Sequence, residues 1–304
     1  MYLRPVNGIL LMVIIFIPLS LHAQEIEPRA YANAPEGLNF IIFGLGYSEG
    51  GLMTDPSVSL TDAKIQVKSL PLAYARVLNF WGRSGKFDII LVHAFASGSA
   101  LLDGQLLERD VSGFADPKMR LSINLYGAPA LSLKEFQSYK QDLIIGASLQ
   151  VSAPLGQYDS DKLLNIGTNR WSVKPEVGIS KAMGPLIFEL AASALFLTNN
   201  NEFLGNTKLE QDPIYSGQSS IIYQFQHGVW CALGGTHYAG GRTTKNGVEG
   251  DDLQENSRFG ATFSFPINKN HSIKINANTG VYTRTGTDFN TVGGVWQYRW
   301  AESL

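Results

Sequence analysis

The chain has 304 residues, a formal net charge of −2 and 16% charged residues, well below the roughly 25% of an average soluble protein. No basic run is present, which removes the electrostatic case for nucleic acid. The single cysteine, Cys231, excludes an intrachain disulfide and every multi-cysteine metal motif; its plainest role is a small apolar residue on a strand.

Glycine is 31 of the 304 residues and aromatics are 11%. Few charges, many glycines and many aromatics suit a β-barrel in a membrane, and a secreted β-sandwich is the soluble alternative. Residues 1–23 read as a secretory signal: Arg4 is the charged start, Gly8 to Ile17 the apolar core, Pro18 the break, and the cut falls before Gln24. The apolar core is too short to cross about 30 Å of hydrocarbon as a helix; an uncleaved anchor is the other reading. Residues 24–37 then form a short periplasmic segment.

Twelve strands are expected beyond it: Leu38–Tyr47, Lys64–Asn79, Lys86–Ser97, Asp116–Tyr126, Gln141–Ala153, Arg170–Lys181, Pro185–Thr198, Tyr215–Gln226, Gly228–Gly240, Ser257–Phe265, His271–Thr283 and Asn290–Trp300. The signal is alternation, because a strand turns successive side chains to opposite sides. Leu143, Ile145, Ala147, Leu149 and Val151 share one face, with Ile144, Gly146, Ser148, Gln150 and Ser152 on the other. Met119, Leu121, Ile123 and Leu125 repeat the pattern against Lys118, Arg120, Ser122 and Asn124. Pro185–Thr198 is the ambiguous segment, since a helix fits it nearly as well. Connections alternate between short ones, such as 81–85, 181–185 and 226–228, and long polar ones, such as 48–63, 98–115, 154–169, 199–214 and 241–256. A sandwich gives no reason for that; a barrel with short periplasmic turns and long outer loops does. The exception, Gly127–Lys140, holds a short helix around Leu131–Phe136. The fold expected is all-β: a transmembrane antiparallel up-and-down barrel over residues 38–300, with a tail at 301–304.

A charge facing lipid near the midplane costs roughly 2–4 kcal/mol, so the charged strand residues are expected to line the lumen: Arg76, Lys118, Arg120, Lys174, Glu176, Glu189, Arg258, Lys274 and Arg299. They either set the charge preference of a pore or pair across a filled lumen and hold the wall together. Glycines on the inward faces, Gly146 and Gly178 among them, fit a lumen needing room or a wall needing a bend. No catalytic motif is present; Gly44 and Gly46 fail the dinucleotide pattern at its third glycine. His93, His227, His237 and His271 are scattered, and nothing in their spacing nominates a serine–histidine pair for a membrane hydrolase. Asp159 and Asp161, and Asp251 and Asp252, lie in outer loops, where solvated acids are commoner than cation sites. No cofactor is expected.

Several segments then carry a resemblance: RLSINLYGAPAL (120–131), SAPLGQYDSDKLLNIGTNRWSVKPEVGISK (152–181), EQDPIYS (210–216), HYAGGRTTKNG (237–247), NSRFG (256–260) and TGVYTRTGTDFNTVGGVWQYRW (279–300). Together they resemble the transporter-like family named for the meta-pathway of phenol degradation. The resemblance implies an outer-membrane barrel in a Gram-negative bacterium, with passage of small organic solutes, aromatic ones among them. It places Asn169, Arg170 and Trp171, and Gly240, Gly241 and Arg242, at family signature positions of unassigned role. The final segment resembles the aromatic-rich last strand by which the barrel-assembly machinery recognises its clients. The expected partners are therefore outer-membrane lipid, that machinery and a small solute. A plugged structural or adhesion barrel, binding a partner through its loops, is the alternative.

Overall fold

The structure, a computed structural model, describes residues 27–53, 60–102 and 105–301; the signal at 1–23, residues 24–26 and the tail at 302–304 lie outside them. Its strands are β1 (Leu38–Met53), β2 (Leu60–Phe80), β3 (Arg83–Leu102), β4 (Gln105–Phe114), β5 (Lys118–Tyr126), β6 (Leu143–Ser152), β7 (Ser172–Met183), β8 (Leu186–Leu197), β9 (Asn200–Phe203), β10 (Thr207–Gln211), β11 (Ile214–Gln224), β12 (Trp230–Gly240), β13 (Thr243–Lys245), β14 (Val248–Glu249), β15 (Gln254–Pro266), β16 (His271–Thr283) and β17 (Gly286–Ala301). One short helix, α1 (Leu133–Phe136), is started by a capping box in which Ser132 and Glu135 satisfy each other's backbone N–H groups.

Thirteen of these strands form one antiparallel sheet that closes on itself, since β1 pairs with both β2 and β17, and β2 pairs with β3. Strands β4 and β5 are two halves of one stave, because both pair with β3, β4 along His93–Leu102 and β5 along Gly85–Ile90. The break at residues 115–117 contains Pro117, which has no N–H to give a ladder. The wall therefore has twelve staves. Pro185–Thr198, which a helix fits nearly as well by sequence, is wall strand β8.

Register decides which side each residue faces. Ile41, Phe43, Leu45, Leu72, Leu91, Leu121, Leu149, Val177, Leu190, Leu233, Phe259 and Ile275 are all exposed on the outer face, where lipid covers them. The opposite face buries Ser69, Ser122, Ser180, Ser220, Thr236 and Thr262. Five of the expected lumen residues share this inner face in one half of the wall: Lys118, Arg120, Lys174, Glu176 and Glu189 are joined through the register of β5 to β8. Arg258 and Lys274 lie on it in β15 and β16.

Arg76 does not. It pairs with Asn39, which alternates with the outward Ile41 and Phe43, so Arg76 faces outward near the periplasmic rim. Trp300 pairs with the same Asn39, and Tyr74 lies 6.4 Å from Trp300 between ring centroids and donates to Asn39 Oδ1 at 2.7 Å. This is the headgroup level, where a long cationic side chain keeps its charge in water while its stem covers apolar wall. Arg299 is on the inner face but exposed at the rim, where its Nε donates to Lys269 O at 2.8 Å and caps the β15–β16 turn.

Beyond the hydrocarbon the strands run on. Strands β2 and β3 reach 21 and 20 residues, and β9, β10, β13 and β14 form a separate small sheet over the outer mouth. The ladders differ in extent. β1 and β17 pair continuously from Leu38↔Ala301 to Met53↔Gly286. The β16–β17 ladder stops at Asn278↔Thr291, although both strands continue. There Arg258 donates to the carbonyl of Phe289 and to Asn278 Oδ1.

Sidedness is testable by charge placement. Leu121→Arg, on the lipid face at mid-strand, is expected to destabilise the barrel by about 2–4 kcal/mol, whereas Arg76→Leu at the interface changes it by under about 1 kcal/mol. Urea titration read by heat-modifiable gel mobility measures both.

Candidate functional site

Inside the wall the chain sends segments into its own lumen from both ends. Residues 24–37, expected as a periplasmic segment, are not periplasmic where they are described: 27–37 run up inside the barrel and none of them joins the sheet. At the rim, Glu36 N donates to Leu131 O at 2.8 Å, Gly37 N to Val77 O at 3.2 Å and Asn33 Nδ2 to Pro129 O at 3.1 Å. Deeper in, Lys86 Nζ donates to Ala30 O, and Arg29 N donates to Glu189 Oε2 at 2.6 Å. The Arg29 guanidinium lies 5.5 Å over the Trp230 ring, a cation–π contact.

The deepest anchor is ionic. Glu27 accepts from Arg120 through both carboxylate oxygens, at 2.5 and 3.0 Å, while Arg120 Nε donates to Asp88 Oδ2 at 3.0 Å. Such a two-point guanidinium–carboxylate contact is stronger and better oriented than a single hydrogen bond. Lys174 and Glu176 pair at 3.3 Å, and Ser180 Oγ donates to Glu189 Oε1 at 2.9 Å. The Tyr31 ring lies against Gly146 and Gly178, with its hydroxyl donating to Glu176 Oε1 at 3.0 Å. Arg120, Glu176 and Glu189 are each bonded to a residue of the inserted segment, Glu27, Tyr31 and Arg29 in turn. Missing from sequence reasoning were Glu27, Arg29, Tyr31, Lys86 and Asp88. An aperiodic segment carries no signal for where it inserts; the inward glycines were the one available hint.

The outer closure is chemically different. Loop 154–169 folds in, and its Leu164 and Ile166 pack against lumen-facing Ile65, Val67, Ala94 and Ala96. Asp116, in the break between β4 and β5, ties down both ends of the loop. It accepts from Gly156 N at 2.9 Å, Thr168 N at 2.8 Å and Thr168 Oγ1 at 2.7 Å. Arg109 Nε adds a bond to Leu164 O at 2.9 Å.

The histidines stay dispersed, and among the described residues no group of metal-ligating side chains forms. Asp159 meets Arg109, and Asp251 meets Arg284. His93 is an outward ring packed edge-on against Phe95 and Phe114, and His271 stacks on Trp296. Cys231 is a half-buried outward residue of β12. One pair unseen in the spacing does form: His237 Nδ1 lies 3.0 Å from Ser257 Oγ on the outer wall. No carboxylate is hydrogen-bonded to that histidine among the described residues, so the third member that orients a catalytic base has no counterpart.

The family model described as "Putative MetA-pathway of phenol degradation" matches residues 57–296. The chain belongs to this family. An outer membrane channel from Pseudomonas putida F1 has the same fold, with a TM-score of 0.76 at 22% identity, the alignment covering 91% of this chain and 100% of that one. Two further structures score lower: the β domain of the Bordetella autotransporter BrkA (TM-score 0.48, 9% identity, 86% and 99% covered) and the monoaromatic hydrocarbon channel CymD (0.41, 7%, 89% and 90%). No curated protein matches this chain.

The two sets of residues expected at signature positions, distant in sequence, meet at the outer mouth. Arg170 donates to Gln211 Oε1 at 2.9 Å, and Gln211 Nε2 donates to Gly241 O at 2.9 Å. Gly240 has φ +116°, and a Cβ there would lie 2.3 Å from Pro213 O, so only glycine fits. Asn169, at φ +55°, donates to Asn200 Oδ1 at 3.1 Å, Trp171 N donates to Thr198 Oγ1 at 3.1 Å, and Arg242 pairs with Glu249. In this family member these residues splice the small outer sheet to the barrel.

Two outcomes follow for the inner plug. Arg120→Gln leaves Glu27 without its cation and is expected to raise single-channel conductance in planar bilayers by loosening residues 27–37. Burial would raise the Glu27 carboxyl, but the charges of Arg120, Lys274 and Lys86 outweigh it and hold it far below the usual carboxylate range. A depressed carboxyl contributes fully above its unfolded value and is lost only as pH falls through its folded one, so titration of Glu27 itself is expected to add no change in conductance between about pH 8 and about pH 5.

Proposed function

We propose that this chain is a passive outer-membrane channel for small organic solutes, aromatic and other apolar ones included, closed at rest by residues 27–37. The observation that carries the reading is the manner of closure. The wall is held by continuous backbone ladders, whereas the plug is held by side chains and a few single bonds. A segment outside the ladder can leave without opening the barrel. Twelve staves also enclose more room than the eight-stranded kind, whose interior side chains fill. On this reading the signal is cleaved, the assembly machinery receives the aromatic-rich β17, and the barrel stands in a Gram-negative outer membrane. The chain breaks no bond.

One observation favours a second reading. Loop 154–169 closes the lumen again with apolar packing, as a permanently plugged barrel that binds a partner through its loops would. Deleting residues 27–37 separates the two. The channel reading expects the variant to keep its heat-modifiable mobility, to conduct steadily in planar bilayers and to pass phenol in liposome swelling. A folded variant that passes neither ion nor phenol would sink it.

A further inference from the structure

Tyr31 sits where the wall has been hollowed for it. Gly146 and Gly178 are register partners on the inner face of β6 and β7. A Cβ at Gly146 would lie 2.2 Å from Tyr31 Cδ1, and one at Gly178 would lie 2.2 Å from Cε2. Both contacts are far inside van der Waals range, so the two missing side chains make a flat floor for one ring. Ile144, Ala128 and Ala30 pack around it, and Tyr31 is 4% exposed. At the far end of the ring the hydroxyl donates to Glu176 Oε1 at 3.0 Å, and Glu176 is held by Lys174. Glu176 and Ser148 are themselves register partners, one step along the strands from the glycines. The hollow is thus a flat-floored slot that seats one aromatic ring, with a carboxylate at the end where a hydroxyl points.

The side chain that fills it is a para-alkyl phenol. Tyr31 belongs to the plug, not to the wall, and its backbone joins no ladder. We propose that this slot is a binding subsite for neutral monocyclic phenols, and that in the closed state Tyr31 occupies it as a tethered ligand which an incoming phenol displaces. The proposal rests on the channel reading for its purpose, but the slot is a property of the wall and can be tested without transport.

The chemistry fixes selectivity in three ways. The glycine floor lets a flat ring lie against the wall, a contact that a branched aliphatic solute of equal volume makes over less of its surface. Glu176 Oε1 accepts from the ring hydroxyl while Lys174 holds the other oxygen, so a ring with no hydroxyl leaves Oε1 without its donor, which is unfavourable in a buried place. A phenolate is repelled by the same carboxylate. The Tyr31 hydroxyl shows this already: burial and the Glu176 charge together push its ionisation well above the usual phenol range.

The test vacates the slot and refills it. Tyr31→Ala full-length protein in detergent is titrated with para-cresol, toluene and para-nitrophenol at mildly alkaline pH, where the nitrophenol is ionised and the cresol is not, with binding read by calorimetry. Deletion of residues 27–37 serves as a second vacated form should Tyr31→Ala fold poorly. Binding of para-cresol, much weaker binding of toluene and of the largely ionised nitrophenol, and loss of para-cresol binding when Gly178→Leu fills the floor are the expected results. Glu176→Gln should narrow the gap between para-cresol and para-nitrophenol, since it removes the repulsion and keeps an acceptor. Para-cresol binding that survives Gly178→Leu would overturn the proposal, because micelle partitioning or another site would then account for it. So would equal binding of toluene and para-cresol. Slot binding in a barrel that never conducts would leave the subsite standing and remove the channel, so the two failures are distinguishable.

Discussion

A chain that crosses hydrocarbon with strands must pair every backbone N–H and C=O with another strand, because the surroundings offer no partner. That constraint closes the sheet and fixes its register, and the register fixes everything else. Once Leu121 and Val177 face outward, Arg120 and Glu176 have nowhere to go but in. The charged interior was not assembled for its own sake; it is the complement of an oily exterior at a side-chain period of two. Arg76 respects the same rule in another way. It stands outward only where the wall leaves the hydrocarbon, beside Tyr74 and Trp300.

The two closures use opposite physics. The inner plug is polar: Glu27, Arg29 and Tyr31 meet Arg120, Glu189 and Glu176 through hydrogen bonds that water could replace. The outer loop is apolar at its contact, Leu164 and Ile166 on a patch of small and branched residues, with Asp116 fastening its ends. Water entering the lumen weakens the first kind of contact and strengthens the second.

How much of this was legible in the sequence follows the same division. The staves were legible because lipid on one side and water on the other write an alternation into every crossing, as in Met119 to Leu125. Strand β4 was not, because it begins with four exposed residues and because Glu108, Arg109 and Asp110 put charges on both of its faces. The small outer sheet was hidden as well. Arg76 was assigned to the wrong face because its neighbours are apolar on both sides: Leu70, Leu72 and Tyr74 outward, Pro71, Ala73, Ala75 and Val77 inward. With no polar face to contrast, only the register against β1 decides. The plug was illegible in principle, since it obeys no period; Gly146 and Gly178 pointed to missing bulk without saying what filled it.

The unequal ladders give the barrel a grain. Where the first and last strands meet, pairing runs the whole length from Leu38 to Met53; one strand over, between β16 and β17, it ends at Asn278 and Thr291. A hoop yields where its staves are joined over only part of their length, and one such line runs beside the join, not along it. Mechanical load on the outer rim, from a tethered partner or a curving bilayer, would gather between those two strands, on the carbonyl of Phe289 that the Arg258 side chain serves in place of a neighbouring backbone.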